Sequence, residues 1–245
     1  MDCLVMSLPA EVTDTSLRKL GEMKMEILST TTYSEVGLAF KSVPDRGNAR
    51  IVAGEGTYFT NSAHTENNGQ EVQELGNNYI VNGEGGSLFL GNKQNITNMS
   101  LVSGVKLDIE EVKYCDELIW LYGASGTLEG DIANLSRFAN QMVRLDVRST
   151  NNVYGDLSVF SECETLTNLT LERTKCTGSI MNLQNCLSLA TLYLFDTTGA
   201  TGDPDDLANA MYNGGEGRTS GTLTYTSPSN VRSVYTFAAG GWTKS

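Results

Sequence analysis

Few residues in this 245-residue chain are of a type that could do chemistry, and they are poorly grouped. The one histidine, His64, lies in a polar tract from Asn61 to Glu74 that lacks apolar periodicity and reads as an exposed loop. A Ser/His/Asp or Cys/His arrangement would have that single base and no motif around a nucleophile. The glycine clusters at Asn82 to Gly86 and Gly214 to Gly221 lack the Gly-Lys-Ser/Thr of a phosphate loop and the strand-glycine-helix order of a dinucleotide site. They read as turns. Of the five cysteines, Cys115, Cys163 and Cys186 recur at one slot of a repeated pattern, as a row of small inward hydrophobes without the Cys-x-x-Cys or histidine partners of a metal site. Asp108, Asp131, Asp156 and Asp203 recur likewise. Stacked at strand spacing, about 5 Å, their carboxylates could meet a calcium ion. Each, however, opens a short segment with apolar residues at i, i+3 and i+6, which favours capping of a helical or 3₁₀ turn, and Ser179 takes the same place in one copy. A carboxylate pair for glycoside hydrolysis needs no local motif, but nothing in the sequence selects one. The expectation is a chain without catalytic residues, cofactor or bound metal.

The elements that position these residues follow a period. The frame hydrophobic-x-x-hydrophobic-x-hydrophobic begins at Ile96, Leu118, Met142, Leu166 and Leu189, at spacings of 22, 24, 24 and 23 residues. A second frame, Asp-Ile-x-x-Val-x-x-Cys from Asp108, returns out of phase at Asp131, Asp156, Ser179 and, altered, Asp203. Two interlocked patterns at one period predict a solenoid, in which each turn buries its apolar face only by stacking on its neighbours. Frame positions 0, 3 and 5 should face inward, as with Leu166, Leu169 and Leu171. Position 8 is Thr150, Thr174 and Thr197, whose hydroxyls can bond backbone in the adjacent turn. Glycines 130, 155, 178 and 202 begin each corner. The segment from Asp203 becomes a helix with Asp203 as N-cap, Pro204 at its first position, Asp205 and Asp206 on the dipole and Asn213-Gly214-Gly215 as its stop. Beyond it, runs from Gly221 and Val231 joined by Ser227 to Asn230 predict a hairpin covering the open end.

Before Gln94 the long repeat is absent. Alternating runs at Met23, Val36, Tyr79 and Ser87, the last two joined across Asn82 to Gly86, predict β-hairpins, with a helical turn near Ser16 to Leu20. The chain therefore divides into an N-terminal β-rich domain, 1–94, and a solenoid with its C-terminal cap, 95–245. A formal net charge of -12 disfavours nucleic acid and anionic lipid as partners. No stretch approaches the roughly 18 apolar residues of a membrane span, and the N-terminus lacks a signal peptide's basic start and apolar core, so production in the cytoplasm is expected.

The motif LxxLxLxxT followed by TGSI or GDI, as in LTNLTLERTKCTGSI from Leu166, resembles leucine-rich repeats, with threonine where the usual repeat has asparagine. The order of small β domain, repeats and strand-rich tail is similar to that of repeat proteins of gut bacteria and of crAss-like tailed phages. The resemblance implies a non-enzymatic virion component, such as a capsid decoration or head fibre, that contacts its own copies and other virion proteins, or a host-surface glycan or protein. The alternative is an intracellular or cell-surface bacterial module that binds a peptide or glycan. On either reading the partner surface is the outward face of the repeat strands, which carries Trp120, Tyr122, Arg144, Asp146 and Tyr193, with Arg148 and Phe195 just past the strand ends. Trp120 and Tyr122 could instead pack under the N-terminal domain, and Tyr193 and Phe195 under the hairpin, leaving Arg144, Asp146 and Arg148 as the exposed part.

Overall fold

The computed structural model describes residues 97–101 and 105–245 and, before them, eight strands. These are β1 (Met23–Ile27), β2 (Ser34–Val36), β3 (Ala49–Ala53), β4 (Tyr58–Thr60), β5 (Thr65–Asn67), β6 (Glu71–Val72), β7 (Tyr79–Asn82) and β8 (Gly86–Leu90). The repeats then alternate two kinds of strand. β9 (Asn98–Leu101) and β10 (Val105–Asp108) lead into a 3₁₀ helix, Ile109–Tyr114. β11 (Trp120–Ala124) and β12 (Leu128–Asp131) precede Ile132–Phe138, and β13 (Arg144–Arg148) and β14 (Val153–Asp156) precede Leu157–Phe160. β15 (Asn168–Leu171) and β16 (Lys175–Ser179) precede Ile180–Leu183, and β17 (Thr191–Tyr193) and β18 (Gly199–Thr201) precede the helix α1 (Pro204–Tyr212). The chain closes with β19 (Thr222–Thr226), β20 (Arg232–Ala238) and β21 (Gly241–Lys244).

Odd-numbered strands β9 to β17 stack in parallel, and β19 continues the same sheet before β20 and β21 turn antiparallel. Even-numbered strands β10 to β18 form a second parallel stack, which β1 extends antiparallel through β10 towards β8, β3 and β6. Strands from both sides of residue 94 thus share one sheet. The molecule is a β-rich solenoid with a single α-helix among the described residues.

The apolar frame packs as its spacing demands. Leu118, Leu121, Met142, Leu145, Val147, Leu166, Leu169, Leu171, Leu189, Leu192 and Leu194 are all buried between the two sheets. Each contributes on the order of 1.5 to 3 kcal/mol by leaving water. Thr150 and Thr197 donate their hydroxyls to Leu128 O at 2.8 Å and to Leu171 O, each in the preceding turn. This is the backbone bond expected of position 8, whereas Thr174 departs from it, its Oγ1 meeting Thr197 Oγ1 at 3.4 Å. Cys115, Cys163 and Cys186 lie in the core, and burial raises the thiols of Cys163 and Cys186 to about 11 and about 12. Cys176 is buried as well, on β16.

Every corner aspartate caps. Asp108, Asp131, Asp156 and Asp203 each accept the backbone N–H two residues on at 2.8 Å, and Ser179 does so at 3.2 Å. The next turn's corner glycine fits over that cap. Gly178 has φ +101, and a Cβ there would sit 2.6 Å from Asp156 Oδ2, so a side chain is disfavoured on both counts. Frame position 7 is left-handed in four successive turns without glycine: Ser125, Ser149, Arg173 and Asp196 have φ between 54 and 58. All four are exposed, and their N–H groups donate to Arg148 O, Glu172 O, Phe195 O and Pro228 O at 2.9 to 3.0 Å. Those bonds to the following strand hold the conformation.

The structure corrects several expectations. The even-numbered strands replace a simple corner: each turn buries a further apolar residue, Leu107, Leu128, Val153 or Cys176, on a strand too short for alternation to reveal. β7 and β8 do not form a hairpin with each other, because β7 pairs with β2 and β4 while β8 pairs with β1 and β3. The polar tract 61–74 contains β5 and β6, paired to β4 and β3 through backbone bonds that need no apolar pattern. The strand expected from Val36 is seen instead at Ser34–Val36. His64, Gly37 to Phe40 and the turn near Ser16 lie outside the described residues. No described helix is long and apolar enough to cross a membrane.

Candidate functional site

The parallel register sets the surface residues in rows. On one row Asn98, Trp120, Arg144, Asn168, Thr191 and Thr224 stand side by side, and on the next Ser100, Tyr122, Asp146, Thr170, Tyr193 and Thr226. A strand sends alternate side chains to one face, so Arg144, Asp146 and Arg148 project together from β13.

These three form a tight charge cluster. Arg144 Nη2 donates to Asp146 Oδ2 at 2.7 Å, and Arg148 donates through Nε to Oδ1 at 2.6 Å and through Nη2 to Oδ2 at 3.1 Å. The Asp146 side chain is 1% exposed while those of the arginines are 39% and 47% exposed. Asp146 is therefore not part of an exposed patch, because two long side chains fold over one short carboxylate. The hydrogen bond to Asp146 raises the already high pKa of Arg148. The Arg144 guanidinium also lies over the Trp120 ring, 5.2 Å from its centroid, in cation–π range.

The seven sequence-derived residues fall into two groups. Trp120, Arg144, Asp146 and Arg148 are joined by these contacts, with Tyr122 beside Asp146 in the register. Tyr193 and Phe195 meet edge-on at 6.5 Å two turns away, with Arg173 over Phe195 at 5.4 Å. Trp120, Tyr122, Tyr193 and Phe195 are all half-buried. Arg173 was missing from the sequence-derived set because it sits at frame position 7, one residue further past its strand than Arg148 and Phe195 do. Asn98 was missing although it holds in the first repeat the outward position that Trp120 holds in the second.

A cavity of about 300 Å³ opens beside the first group, lined by Asn98, Ile119, Trp120, Val143, Arg144, Thr167 and Asn168. Three buried polar atoms of its lining residues have no hydrogen-bond partner: Asn98 Oδ1, Trp120 Nε1 and Arg144 Nε. Thr167 Oγ1 is engaged, with Val143 O at 2.9 Å and Asn168 Oδ1 at 3.0 Å. Among the described residues no group of three or more His, Cys, Asp or Glu is placed to hold a metal ion. The three unpartnered atoms are closed to solvent, so the cavity wall is formed by other atoms of the same residues.

No family model matches the chain, and no curated protein matches it. Among solved structures it is similar to an internalin from Listeria monocytogenes, at 19% identity over 54% of this chain, with a TM-score of 0.39. It is also similar to a plant peptide hormone receptor, RGFR1, in complex with RGF2, at 16% identity over 41% of this chain, with a TM-score of 0.34. The chain spans 34% of the internalin and 17% of the receptor.

Proposed function

We propose that this chain is a non-enzymatic protein-interaction module whose binding face is the outward side of the β9 to β19 sheet. What supports this reading is the row of Trp120 and Arg144 on a rigid parallel sheet, since aromatic and arginine side chains dominate interface energetics. The chain works without cofactor, nucleic acid or membrane insertion. β20 and β21 serve as the cover of the solenoid's open end, and the β-rich segment 1–94, joined to the repeats through the pairing of β1 with β10, as the cover of the other. Following the resemblance of its order of β domain, repeats and strand-rich tail, the setting is the virion of a tailed phage, where the chain self-associates and joins other structural proteins as a decoration or head fibre.

Mass spectrometry of purified particles tests the setting, and Arg144→Glu tests the face. The chain is expected at fixed stoichiometry in wild-type particles and absent from particles made with the variant, which should melt lower because the buried Asp146 loses a partner yet still be folded at the temperature of assembly. Light scattering should give a dimer or trimer for the isolated wild-type chain. A monomer found only in uninfected cells would sink the virion reading and leave the bacterial peptide- or glycan-binding module.

A further inference from the structure

The second parallel stack carries a cleft that shares no lining residue with the cavity beside Trp120. It measures about 380 Å³ and runs across β10, β12, β14 and β16, from Asp108 and Glu129 to Tyr154 and Lys175, with Asn151 and Asn152 at its edge in the turn before β14. That turn is longer than its neighbours. From frame position 8 to the corner glycine it is five residues from Thr150 to Gly155, against four from Gly126 to Gly130 and four from Thr174 to Gly178. In a repeat protein such insertions go to the surface and gather on a binding face.

Among the aromatic side chains whose burial the structure describes, Tyr154 alone is exposed, at 49%. Elsewhere a guanidinium or ammonium lies over the ring, as at Phe138, Trp120, Phe195, Phe237 and Tyr235. The Tyr154 ring carries no such group, and its hydroxyl has no hydrogen bond among the described residues. The same is true of the Asn151 and Asn152 amides and the Lys175 ammonium, all on exposed residues. The carboxylates, by contrast, are engaged. Glu129 holds Lys106 at 2.6 Å, and Asp108 accepts the Glu110 N–H at 2.8 Å. With Lys106 counted, two carboxylates stand against two ammonium groups, so the cleft has no net charge with which to select an ion.

An uncharged ligand that covers an open ring and meets amides at its rim needs an apolar face and a hydroxyl-bearing edge. A pyranose has both. Its axial C–H bonds pack on the aromatic ring, and each hydroxyl donates and accepts as a carboxamide does. A volume of about 380 Å³ is at the small end for ligand sites, the size for a sugar rather than an extended chain.

We infer that this cleft binds a neutral pyranose, stacked on Tyr154 with its hydroxyls on Asn151, Asn152 and Lys175. The site is independent of the β9 to β19 face and stands or falls without it.

The probes are the methyl glycosides of glucose, galactose, mannose and N-acetylglucosamine, titrated against the full chain by saturation-transfer NMR. At least one should bind with a Kd of about 1 to 10 mM, its ring C–H protons receiving the most saturation. Tyr154→Ala should weaken binding at least about tenfold, and Tyr154→Phe less than about threefold because the platform remains. Asn152→Ala should weaken it severalfold. Both positions are exposed, so the urea midpoints of these variants should match that of the wild type. Arg144→Glu should bind the sugar as the wild type does, which separates this site from the interaction face. A disaccharide bound more tightly than the glycoside makes a glycan the source, and a free sugar bound more tightly makes it a diffusible one; either supports the site. Failure of all four glycosides overturns the inference. So does binding that survives Tyr154→Ala, which would put the sugar elsewhere, or a response confined to methyl glucuronide or to tetramethylammonium, which would make the cleft an ion site.

Discussion

Replacing Gly178 with alanine should test how one turn of the solenoid is locked to the next. The glycine has φ +101, and the three atoms nearest to an added Cβ all belong to the Asp156 carboxyl, at 2.6 to 2.8 Å. Two costs arise together. The backbone conformation is one that a residue with a Cβ reaches only at about 1 to 3 kcal/mol. The carboxyl must also swing away, abandoning its 2.8 Å bond to the Ser158 N–H, and loss of such a cap costs about 1 kcal/mol. Gly178→Ala should therefore lose about 2 to 4 kcal/mol, and Asp156→Ala alone about 1 kcal/mol. The double variant should be only as unstable as Gly178→Ala, because the cap is already lost there. In a urea-denaturation cycle this is a coupling of about 1 kcal/mol, well outside the roughly 0.3 to 0.5 kcal/mol scatter of independent sites. The Ser158 backbone bond holds the Asp156 carboxyl below its ordinary pKa. Its contribution is therefore complete above the unfolded pKa and declines as pH falls through that value towards the depressed folded one, taking the coupling with it. Strict additivity at neutral pH, or a coupling that survives in strong acid, would refute the claim that cap and corner share one space.

Three further outcomes follow from the core and the C-terminal strands. Leu169→Asp places a charge at a fully buried position and should cost several kcal/mol, beyond the roughly 1.5 to 3 kcal/mol of the lost leucine; a soluble variant with a cooperative melt would disprove the register. Cys115, Cys163, Cys176 and Cys186 are all buried and should resist a thiol reagent until urea unfolds the chain. Because burial raises the Cys163, Cys176 and Cys186 thiols to about 11, 11 and 12, the folded state holds these protons. Stability is then intact below the unfolded value of about 8.5 and falls as pH rises through it, by up to about 1.4 kcal/mol per pH unit and thiol; a urea midpoint that stays level to pH 10 contradicts this. Arg218 is buried and donates to the carbonyls of Leu189, Ser220 and Thr222, so Arg218→Ala should cost about 3 kcal/mol in the same assay. A loss below about 0.5 kcal/mol would mean that water replaces the guanidinium.

The period was legible because each repeat places its apolar residues alike, and Leu169 and Asp156 could be assigned from their spacing alone. β14 was not, since Val153-Tyr154-Gly155-Asp156 shows one inward residue and no alternation. β7 and β8 follow one another across a glycine turn, yet their partners are distant in sequence, which no local signal records. At the candidate site, alternation put Arg144, Asp146 and Arg148 on one face. Which of them would be covered depended on side-chain reach. The cavity was hidden for a further reason: Asn98, Trp120 and Arg144 come from three successive turns and gain meaning only from the register between them.

The rim of left-handed residues has a consequence for how such a chain could diversify. At Ser125, Ser149, Arg173 and Asp196 the backbone is held by bonds from main-chain N–H groups, so hydroxyl, guanidinium and carboxylate side chains share one conformation. Identity there is uncoupled from fold. A lineage could rewrite these four exposed letters, reversing the rim's charge or seeding a new recognition edge, while the apolar ladder beneath remained unaltered. The non-glycine strain, about 1 to 2 kcal/mol for each residue, is constant across such rewriting, so variation along this edge would be nearly neutral for stability and visible only to whatever touches it.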